Sequence, residues 1–354
     1  MGKTHQPERA GVKEIARRAN VSIGTVDRVI HNRTGVSEKT RILIQSIIKE
    51  LDYQPNIMAQ RLASKKNLRF TILIPGVSAE TEFWKAPLIG IEKAEQELKP
   101  YGIHIEKYFF DQNDRKSFVG LTKKILKDGS DGVLLAPSFI GESAEFVTAC
   151  QVAKIPYVLI NSDLPEVDSL SYIGPDLFNS GYLSAHLAGY AIKEGKVLVV
   201  NISKDLDNDH HLLRKETGFN TYFKDKGISI KVVRADIRQT DDVFITQQLS
   251  AVFAAHPDIQ GIFVTNSRVS AVARYLQQAE ITDKLLIGFD FLKDNIEQLK
   301  KGTIDFLICQ KPQEQGYKGI MALYQHLILN EVIEKVHFMP IDIITRENYA
   351  VYGN

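Results

Sequence analysis

The chain has 354 residues, enough for more than one domain with a core of its own. Its composition, 44% hydrophobic and 25% charged, is typical of a soluble globular protein, and no apolar run approaches the roughly 20 residues of a membrane span. The formal net charge of +1 hides an asymmetry, because residues 1–69 hold 14 Lys and Arg against 6 Asp and Glu, whereas the remainder holds 30 against 37.

A basic head on an acidic body indicates a module that faces a polyanion, although a solvated basic tail would show the same charge. The two cysteines, Cys150 and Cys309, lie far apart and lack metal-ligand spacing, so we expect reduced thiols. The N-terminus lacks the apolar core of a secretory signal, and we therefore expect a cytoplasmic protein.

Three short helices are predicted in the head. The first has apolar residues at i, i+3, i+4 and i+7, beginning at Val12, and ends at Asn20, which tolerates the left-handed conformation of a tight turn. Ser22 is a suitable N-cap for the second, with Val21 and Val26 as a hydrophobic staple. Ser37 caps the third, whose predicted buried face is Leu43, Ile44, Ile47, Ile48 and Leu51.

The second helix has a distinct outer face. Val26, Val29 and Ile30 point into the small core of the head, and the opposite face consists of Ile23, Gly24, Asp27, Arg28 and His31. Three short helices with an apolar inside and a polar second helix describe a helix-turn-helix DNA-binding module.

The stretch VKEIARRANVSIGTVDRVIHNRTGVSEKTRILIQSIIKELDYQPNIMAQRLAS resembles the head and hinge of the lactose-repressor (LacI/GalR) family over roughly residues 11–64. This resemblance implies that the second helix enters the major groove, where Arg28 contacts guanine, Ile23 touches a thymine methyl and Gly24 permits close approach. Asp27 stands where the family usually has Ser. It accepts a hydrogen bond from a cytosine amino group, braces Arg28 or forms only a brace within the helix, and we favour the last.

Residues 54–67 form the predicted hinge helix and linker, between a head at 1–53 and a body at 68–354. The small residues Ala59 and Ala63 lie four apart and suit close pairing with a second hinge helix. By the resemblance, the paired helices lie in the minor groove, where Leu62 wedges between base pairs and kinks the duplex. Met58 and Leu62 could instead pack on the body. Lys65 and Lys66 fit either phosphate contact or a solvated linker. The candidate DNA-binding residues are Ser22, Ile23, Gly24, Thr25, Asp27, Arg28, His31, Asn32, Ala59, Leu62 and Ala63.

The body alternates apolar runs with helical patterns, which predicts βαβ units and parallel sheets. The predicted strands are FTILIP, HIEKYFF, GVLLAP, PYVLIN, KVLVVN, ISIKVVRAD, GIFVT, LLIGFD and FLICQ. So many strands exceed one core, so we expect two α/β lobes. The order of the motifs resembles the periplasmic sugar-binding fold, which implies one lobe of about 69–174 plus 312–338 and a second of about 175–311 plus 339–354, with three crossovers between them.

Ligands of open α/β sheets bind beyond the carboxyl ends of the strands, which here places an effector between the lobes. Of Phe83 and Trp84, which follow the first strand, we expect one to pack and one to bind. Gln310 fits a lobe-bridging role nearly as well as a ligand role. The resemblance implies an arginine before Gly-Phe, where Lys215 now stands beside Arg214. The candidate effector-binding residues are Phe83, Trp84, Asn161, Asp163, Arg214, Lys215, Asn266, Asp290 and Gln310.

Motifs for catalysis are missing from the sequence, which has no GxSxG elbow, phosphate-binding loop, CxxC or HExxH. Asp207, Asp209, His210 and His211 could form a metal cluster, but a polar loop is the better interpretation because they lack an established metal spacing. We therefore expect no enzyme, cofactor or metal.

The sequence predicts a homodimeric transcription regulator, a repressor in the first instance, that binds a pseudo-palindromic operator under the control of a small sugar-like effector. Two alternatives are a solute-binding component of a sugar transport system, which would need a signal peptide and no basic head, and an enzyme on a doubly wound fold. The sequence does not specify the operator, the identity of the effector or whether the effector induces or co-represses.

Overall fold

The computed structural model describes residues 11–30, 33–51, 53, 67–78, 82–206 and 209–353. The chain divides into two compact units, the head Met1–Ser64 and the body Lys65–Asn354. Within the described part of the chain, no helix is both long and apolar enough to cross a membrane.

The head contains three helices, α1 (Val12–Ala19), α2 (Ile23–Ile30) and α3 (Glu38–Glu50). Asn20 ends α1 in the left-handed conformation (φ 52°), as predicted. The Ser22 hydroxyl accepts a hydrogen bond from the Thr25 backbone N–H at 3.1 Å, and Ser37 caps α3 in the same way through Thr40. These local caps fix where each helix begins, so the tight turn between α1 and α2 follows from the sequence.

The core of the head is small and apolar. It consists of Ile15, Ala16, Ala19, Val26, Val29, Ile44 and Ile47, all buried. The predicted buried face of α3 was wrong at Leu43, which is 45% exposed. Ile44 and Ile47, three residues apart, occupy the centre of the contact face, and Leu43 is rotated about 100° away from Ile44 toward solvent.

The body contains two sheets of six strands each. The first has the order β11-β5-β4-β3-β1-β2, and every pairing in it is parallel. Its strands are β1 (Leu68–Pro75), β2 (Ile103–Phe110), β3 (Gly132–Leu135), β4 (Tyr157–Ile160), β5 (Ser171–Gly174) and β11 (Val336–Phe338), and the helices along it are α4 (Lys85–Leu98), α5 (Arg115–Asp128), α6 (Ile140–Val152) and α12 (Pro312–Tyr324).

The second sheet has the order β12-β10-β9-β8-β6-β7 and is parallel except for β12, which runs antiparallel to β10. Its strands are β6 (Lys196–Ile202), β7 (Lys231–Ile237), β8 (Ile259–Val264), β9 (Leu285–Phe289), β10 (Phe306–Cys309) and β12 (Asp342–Ile344), and its helices are α7 (Leu177–Ala191), α8 (His210–Asp225), α9 (Asp242–Ala255), α10 (Val269–Gln278) and α11 (Lys293–Lys301). An all-α head followed by two α/β lobes confirms the predicted fold class.

Three passages join the lobes, between β5 and α7, between β10 and α12, and between β11 and β12. Each leaves one sheet and enters the helices or strands of the other. The carboxyl ends of the two parallel sheets can therefore face each other across a cleft.

Two helix pairs cross at glycines with their backbones in contact. A Cβ atom built on Gly90 of α4 would lie 1.8 Å from the Gln313 carbonyl oxygen of α12. A Cβ on Gly181 of α7 would lie 1.8 Å from the Lys215 carbonyl oxygen of α8. Only glycine permits this approach, and the second contact holds in place the backbone of a residue that lines the cleft.

Gly90→Ala should therefore destabilise the body by at least about 2 kcal/mol, because α4 and α12 must separate to accept one methyl group. Gly120→Ala is the matched control, since Gly120 lies inside α5 with nothing within 4 Å of its added Cβ. It should stabilise the helix by about 0.5–1 kcal/mol. Denaturant unfolding of the full chain measures both, and equal stabilities would contradict the packing argument.

Candidate functional site

The outer face of α2 carries the predicted reading residues. Ile23 is 50% exposed, and Ser22, Gly24 and Arg28 are exposed as well. Thr25 is partly buried, with its hydroxyl 2.9 Å from that of Ser22. A Cβ on Gly24 would meet only the Ser22 hydroxyl, at 3.7 Å, so packing within the head does not demand glycine there. A glycine that the head itself does not need leaves room for an outside partner.

Asp27 forms an ion pair with Arg33 at 3.2 Å, six residues along and beyond the end of α2. The pair ties α2 to the turn that leads into α3. The predicted brace was within α2, whereas this ion pair reaches a residue beyond the helix. The remaining predicted DNA-binding residues, His31, Asn32, Ala59, Leu62 and Ala63, lie outside the described residues, as does the rest of the hinge at 54–66.

A cavity of about 770 Å³ lies between the two lobes, at the carboxyl ends of both sheets. Seven of the nine predicted effector residues line it, and they come from both lobes and from the second passage between them. The seven are Phe83, Trp84, Asn161, Lys215, Asn266, Asp290 and Gln310.

A buried polar group forms one wall of this cavity. Asp290 is 7% exposed and its Oδ1 accepts a hydrogen bond from Gln310 Nε2 at 2.9 Å. Gln310 Oε1 is buried and accepts no hydrogen bond among the described residues. Since a buried acceptor without a donor costs free energy, Gln310 Oε1 is suited to a ligand hydroxyl.

Lys215 reaches the same wall from α8. It is 2% exposed, its ammonium lies 3.6 Å from the ring centroid of Phe289, and it donates to the Thr265 carbonyl oxygen at 3.3 Å. Burial lowers the pKa of Lys215 to about 8 and raises the pKa of Asp290. The two opposite charges offset part of each other's desolvation, and within the described residues Lys215 keeps donors for a ligand.

Two aromatic rings form the lobe-one side. Phe83 and Trp84 are 7% and 3% exposed and meet edge to face, with ring centroids 5.0 Å apart. Both line the cavity, so each presents part of its ring to the cleft while packing on the other. Apolar ring faces beside a polar wall are typical of a pocket for a small polar molecule.

The two predicted asparagines differ in their hydrogen bonds. Asn266 Nδ2 donates to the Ile202 carbonyl oxygen at 2.8 Å, and its Oδ1 accepts from the Arg268 backbone N–H at 3.2 Å. Asn266 thus ties the end of β6 to the start of α10. Asn161 lines the cavity with φ 67°, and its backbone N–H donates to Gln315 Oε1 at 3.0 Å.

The other two predicted effector residues, Asp163 and Arg214, do not line the cavity. Asp163 Oδ1 of lobe one lies 3.1 Å from His210 Nε2 of lobe two, and this hydrogen bond lowers the pKa of Asp163. The Arg214 guanidinium lies over the ring of Phe178, 5.6 Å from its centroid. A cleft that faces inward from the strand ends excludes side chains on the outer side of α8, where Arg214 is exposed.

An ion pair also joins the lobes. Arg115 Nη2 lies 2.9 Å from Asp205 Oδ2 of lobe two, and Arg115 Nη1 lies 3.0 Å from Glu142 Oε1 of its own lobe. Together with Asp163 and His210, it connects the lobes at two places. Both pairs are partly exposed, so each contributes modestly to holding this arrangement.

Several lining residues were missed by the sequence reasoning. Asp111, Ser138 and Ser203 each come just after a strand, so the strand-end argument that found Asn161 applies to them equally. Asp209 and His211 also line the cavity; burial raises the pKa of Asp209 to about 6 and lowers that of His211 to about 3. Among the described residues no group of three or more His, Cys, Asp and Glu could hold a metal ion.

The charges that line the cavity balance within the described part of the chain. Four acids face four bases: Asp111, Asp205, Asp209 and Asp290 against Arg115, Lys204, Lys215 and Arg268. A site of balanced charge, with its ions already near partners, suits a polar ligand without net charge.

Two family models match the chain, the bacterial regulatory proteins of the lacI family over residues 11–56 and the periplasmic binding protein domain over residues 72–331. Over most of its length the chain belongs to the periplasmic binding protein domain family, and its head is a lacI-family DNA-binding domain. This member is a DNA-binding transcription regulator whose body is a periplasmic-binding-protein-like domain, as the sequence predicted. The head model ends at residue 56, at the start of the predicted hinge, and the body model spans both lobes.

Relatives along most of the chain include regulators and a transport protein, the ribose import binding protein of Bacillus subtilis, which is 22% identical over 83% of this chain and 93% of its own length. The ribose operon repressor of Halalkalibacterium halodurans is 28% identical over 79% of this chain and 80% of its own length. The regulator MalR of Streptococcus pneumoniae is 22% identical over 92% of this chain and 99% of its own.

Solved structures share the body fold of this family member. A LacI-type transcriptional regulator from Bacteroides fragilis has a TM-score of 0.76 and 28% identity, and covers 81% of this chain and 100% of its own. A solute-binding protein from Burkholderia graminis, in complex with D-arabinose, has a TM-score of 0.73 and 19% identity over 82% of this chain and 99% of its own.

Proposed function

We propose that this LacI-family member is a cytoplasmic, homodimeric repressor that binds a pseudo-palindromic operator and is controlled by a sugar or sugar derivative bound between its lobes. The observation that carries the effector proposal is the buried wall of Lys215, Asp290 and Gln310 opposite the rings of Phe83 and Trp84.

The chemistry of that wall matches neighbouring hydroxyl groups. One hydroxyl can donate to Asp290 and accept from Lys215, and a second can donate to Gln310 Oε1, which has no other donor among the described residues. The C–H face of a sugar ring suits the aromatic side of the cavity. The relatives support this class, because their names and bound ligands include ribose and D-arabinose.

Control of DNA binding requires that the effector favour one arrangement of the lobes. The effector contacts proposed here come from both lobes, so binding would change the free energy of lobe closure. The Arg115–Asp205 ion pair and the Asp163–His210 hydrogen bond join the lobes in the described arrangement, so lobe closure and opening would change both contacts. A coupling of about 1–3 kcal/mol is usual for such systems.

Fluorescence anisotropy of labelled duplex DNA, with and without a panel of sugars, tests the proposed function. We expect tight binding to an operator selected from random sequence and a change in operator affinity of at least about fivefold with one sugar. Absence of any DNA binding would favour the alternative of a solute-binding protein, and binding without any sugar response would reject the effector proposal.

Effector affinity should depend on pH through Lys215. Its ammonium is charged below about 8 and loses its proton above that value, since burial lowers its pKa. A ligand oxygen that accepts from the charged form binds less well as pH rises, so affinity should fall by up to about tenfold for each pH unit above 8. Calorimetric titration of the effector from pH 7 to 9.5 measures this.

The matched control for that titration is Lys215→Met, which keeps the length and the apolar stem of the side chain. Its affinity should be lower at pH 7 and flat across the same range. A wild-type profile as flat as that of Lys215→Met would show that the ammonium does not contact the effector.

A further inference from the structure

A second cavity of about 570 Å³ adjoins the cleft. It lies among the loops that follow β7, β8 and β9 of lobe two, with Glu82 as its lobe-one wall. Its position at strand ends is that of a ligand site and not of a packing defect in the core.

The second cavity borders the cleft. Thr240, Ser267 and Arg268 line both spaces, so the two spaces meet at these residues. Each volume lies within the roughly 300–1,000 Å³ that holds a drug-sized ligand, which is larger than one sugar ring.

The walls of the two spaces differ in chemistry. The cleft has the rings of Phe83 and Trp84, whereas no aromatic ring lines the second cavity among the described residues. Its floor is held by Asn295, which is 1% exposed; its Oδ1 accepts from the Ser270 backbone N–H at 3.2 Å, and its Nδ2 donates to the Phe289 carbonyl oxygen at 2.9 Å. Asn295 therefore ties together the loops that form this cavity, whereas the lining itself consists mainly of hydroxyl and charged side chains, which hydrogen-bond without stacking.

The charge of the second cavity argues against an anionic ligand. Its described lining has four acids, Glu82, Asp241, Asp242 and Asp294, against three bases, Arg268, Arg274 and Lys293. Arg274 is engaged by Asp242 at 2.8 Å. A phosphate or carboxylate placed there would meet an excess of negative charge.

We propose that the effector is an uncharged oligosaccharide of at least two rings, with one ring against the aromatic and polar walls of the cleft and the next in the second cavity. This inference rests on the proposed function and deepens it. It distinguishes a disaccharide or longer sugar from a monosaccharide and from a sugar phosphate.

The experiment blocks the neck between the two spaces. Thr240 is partly exposed on the loop after β7, and Thr240→Trp would place an indole where the two cavities meet, while Thr240→Ser is the matched control. The probes are glucose with maltose and cellobiose, galactose with galactobiose, xylose with xylobiose and xylotriose, arabinose with arabinobiose, and glucose 6-phosphate. Calorimetry measures the affinity of the full chain for each.

We expect one of the longer neutral sugars to bind at least about tenfold more tightly than its own monosaccharide, and Thr240→Trp to remove that advantage because it weakens the longer sugar more than the monosaccharide. Thr240→Ser should behave as wild type. Unchanged operator binding verifies that the tryptophan variant folds, and Thr240→Met takes its place if it does not.

Equal affinity for the monosaccharide and its longer sugars, or an equal loss of both in Thr240→Trp, would overturn the two-ring inference and leave the sugar proposal standing. Tighter binding of glucose 6-phosphate than of every neutral sugar would overturn the uncharged class. Absence of binding to any probe would reject the sugar effector itself, and this inference with it.

Discussion

Asp290→Ala should abolish the response of operator binding to the effector while leaving operator binding itself intact. Asp290 is 7% exposed, follows β9 with φ 73°, and accepts from Gln310 Nε2 at 2.9 Å. Its removal leaves the buried ammonium of Lys215 without its counter-charge and the Gln310 amide without its acceptor. The effector also loses the carboxylate proposed to accept from its hydroxyl, and loss of this charge-assisted hydrogen bond should cost at least about 2 kcal/mol of effector binding, or about thirtyfold in affinity.

Two further variants show whether this loss belongs to the carboxylate. Asp290→Asn removes the charge but keeps an oxygen for Gln310 and tolerates the left-handed backbone, so its affinity should lie between those of wild type and Asp290→Ala. Asp163→Asn is the matched control outside the cavity, where an exposed pair with His210 is worth less than about 1 kcal/mol. Wild-type effector affinity in Asp290→Ala would show that the Asp290 carboxylate does not bind the effector.

Arg28→Ala should weaken binding to the selected operator by about 1–3 kcal/mol and relax the sequence preference at one position. Arg28 is exposed on α2, beside Gly24, on a face that the core of the head does not use. A bidentate contact with a guanine edge would be lost, whereas contacts with the phosphates would remain.

Arg17→Ala is the matched control, because Arg17 is exposed on α1 and pairs with Glu14 at 2.7 Å. It removes the same charge and should lower affinity for operator and random duplex alike. If Arg28→Ala also reduced both equally, Arg28 would be a phosphate contact and not a reading residue.

The head could be predicted almost completely from the sequence, because its determinants are local. The left-handed Asn20 and the caps Ser22 and Ser37 act within three or four residues, and each is confirmed. The error at Leu43 arose because consecutive apolar residues of α3 extend beyond the face that contacts the core, so Leu43 is exposed to solvent. The pairing of Asp27 with Arg33 depends on the turn after α2, which helical periodicity does not describe.

In the body, all nine apolar runs predicted as strands are strands. The three that were missed, β5, β11 and β12, have only three or four residues, too few for a hydrophobic pattern to stand out. β11 and β12 are also edge strands that depend on a neighbour for their conformation.

The strand-end rule placed most predicted effector residues at the cavity, since it uses only order along the chain. It could not foresee how their side chains are used, as with Asn266, which bonds backbone groups at both ends of its amide. It also could not pair distant residues across the lobes, such as Arg115 with Asp205. Contacts of that kind depend on how the lobes face each other, which local patterns do not encode.

We propose that operator binding and occupation of the interlobe cleft are coupled in one chain. The most direct test is whether each ligand changes the affinity for the other by the same factor. Operator affinity is measured with and without saturating effector, and effector affinity with and without saturating operator, on the same full-length protein. We expect both affinities to change by the same factor, of about 5–150-fold, in the wild type. In Asp290→Ala neither affinity should change. An effector that binds the cleft with the same affinity in the presence and absence of operator would contradict this coupling.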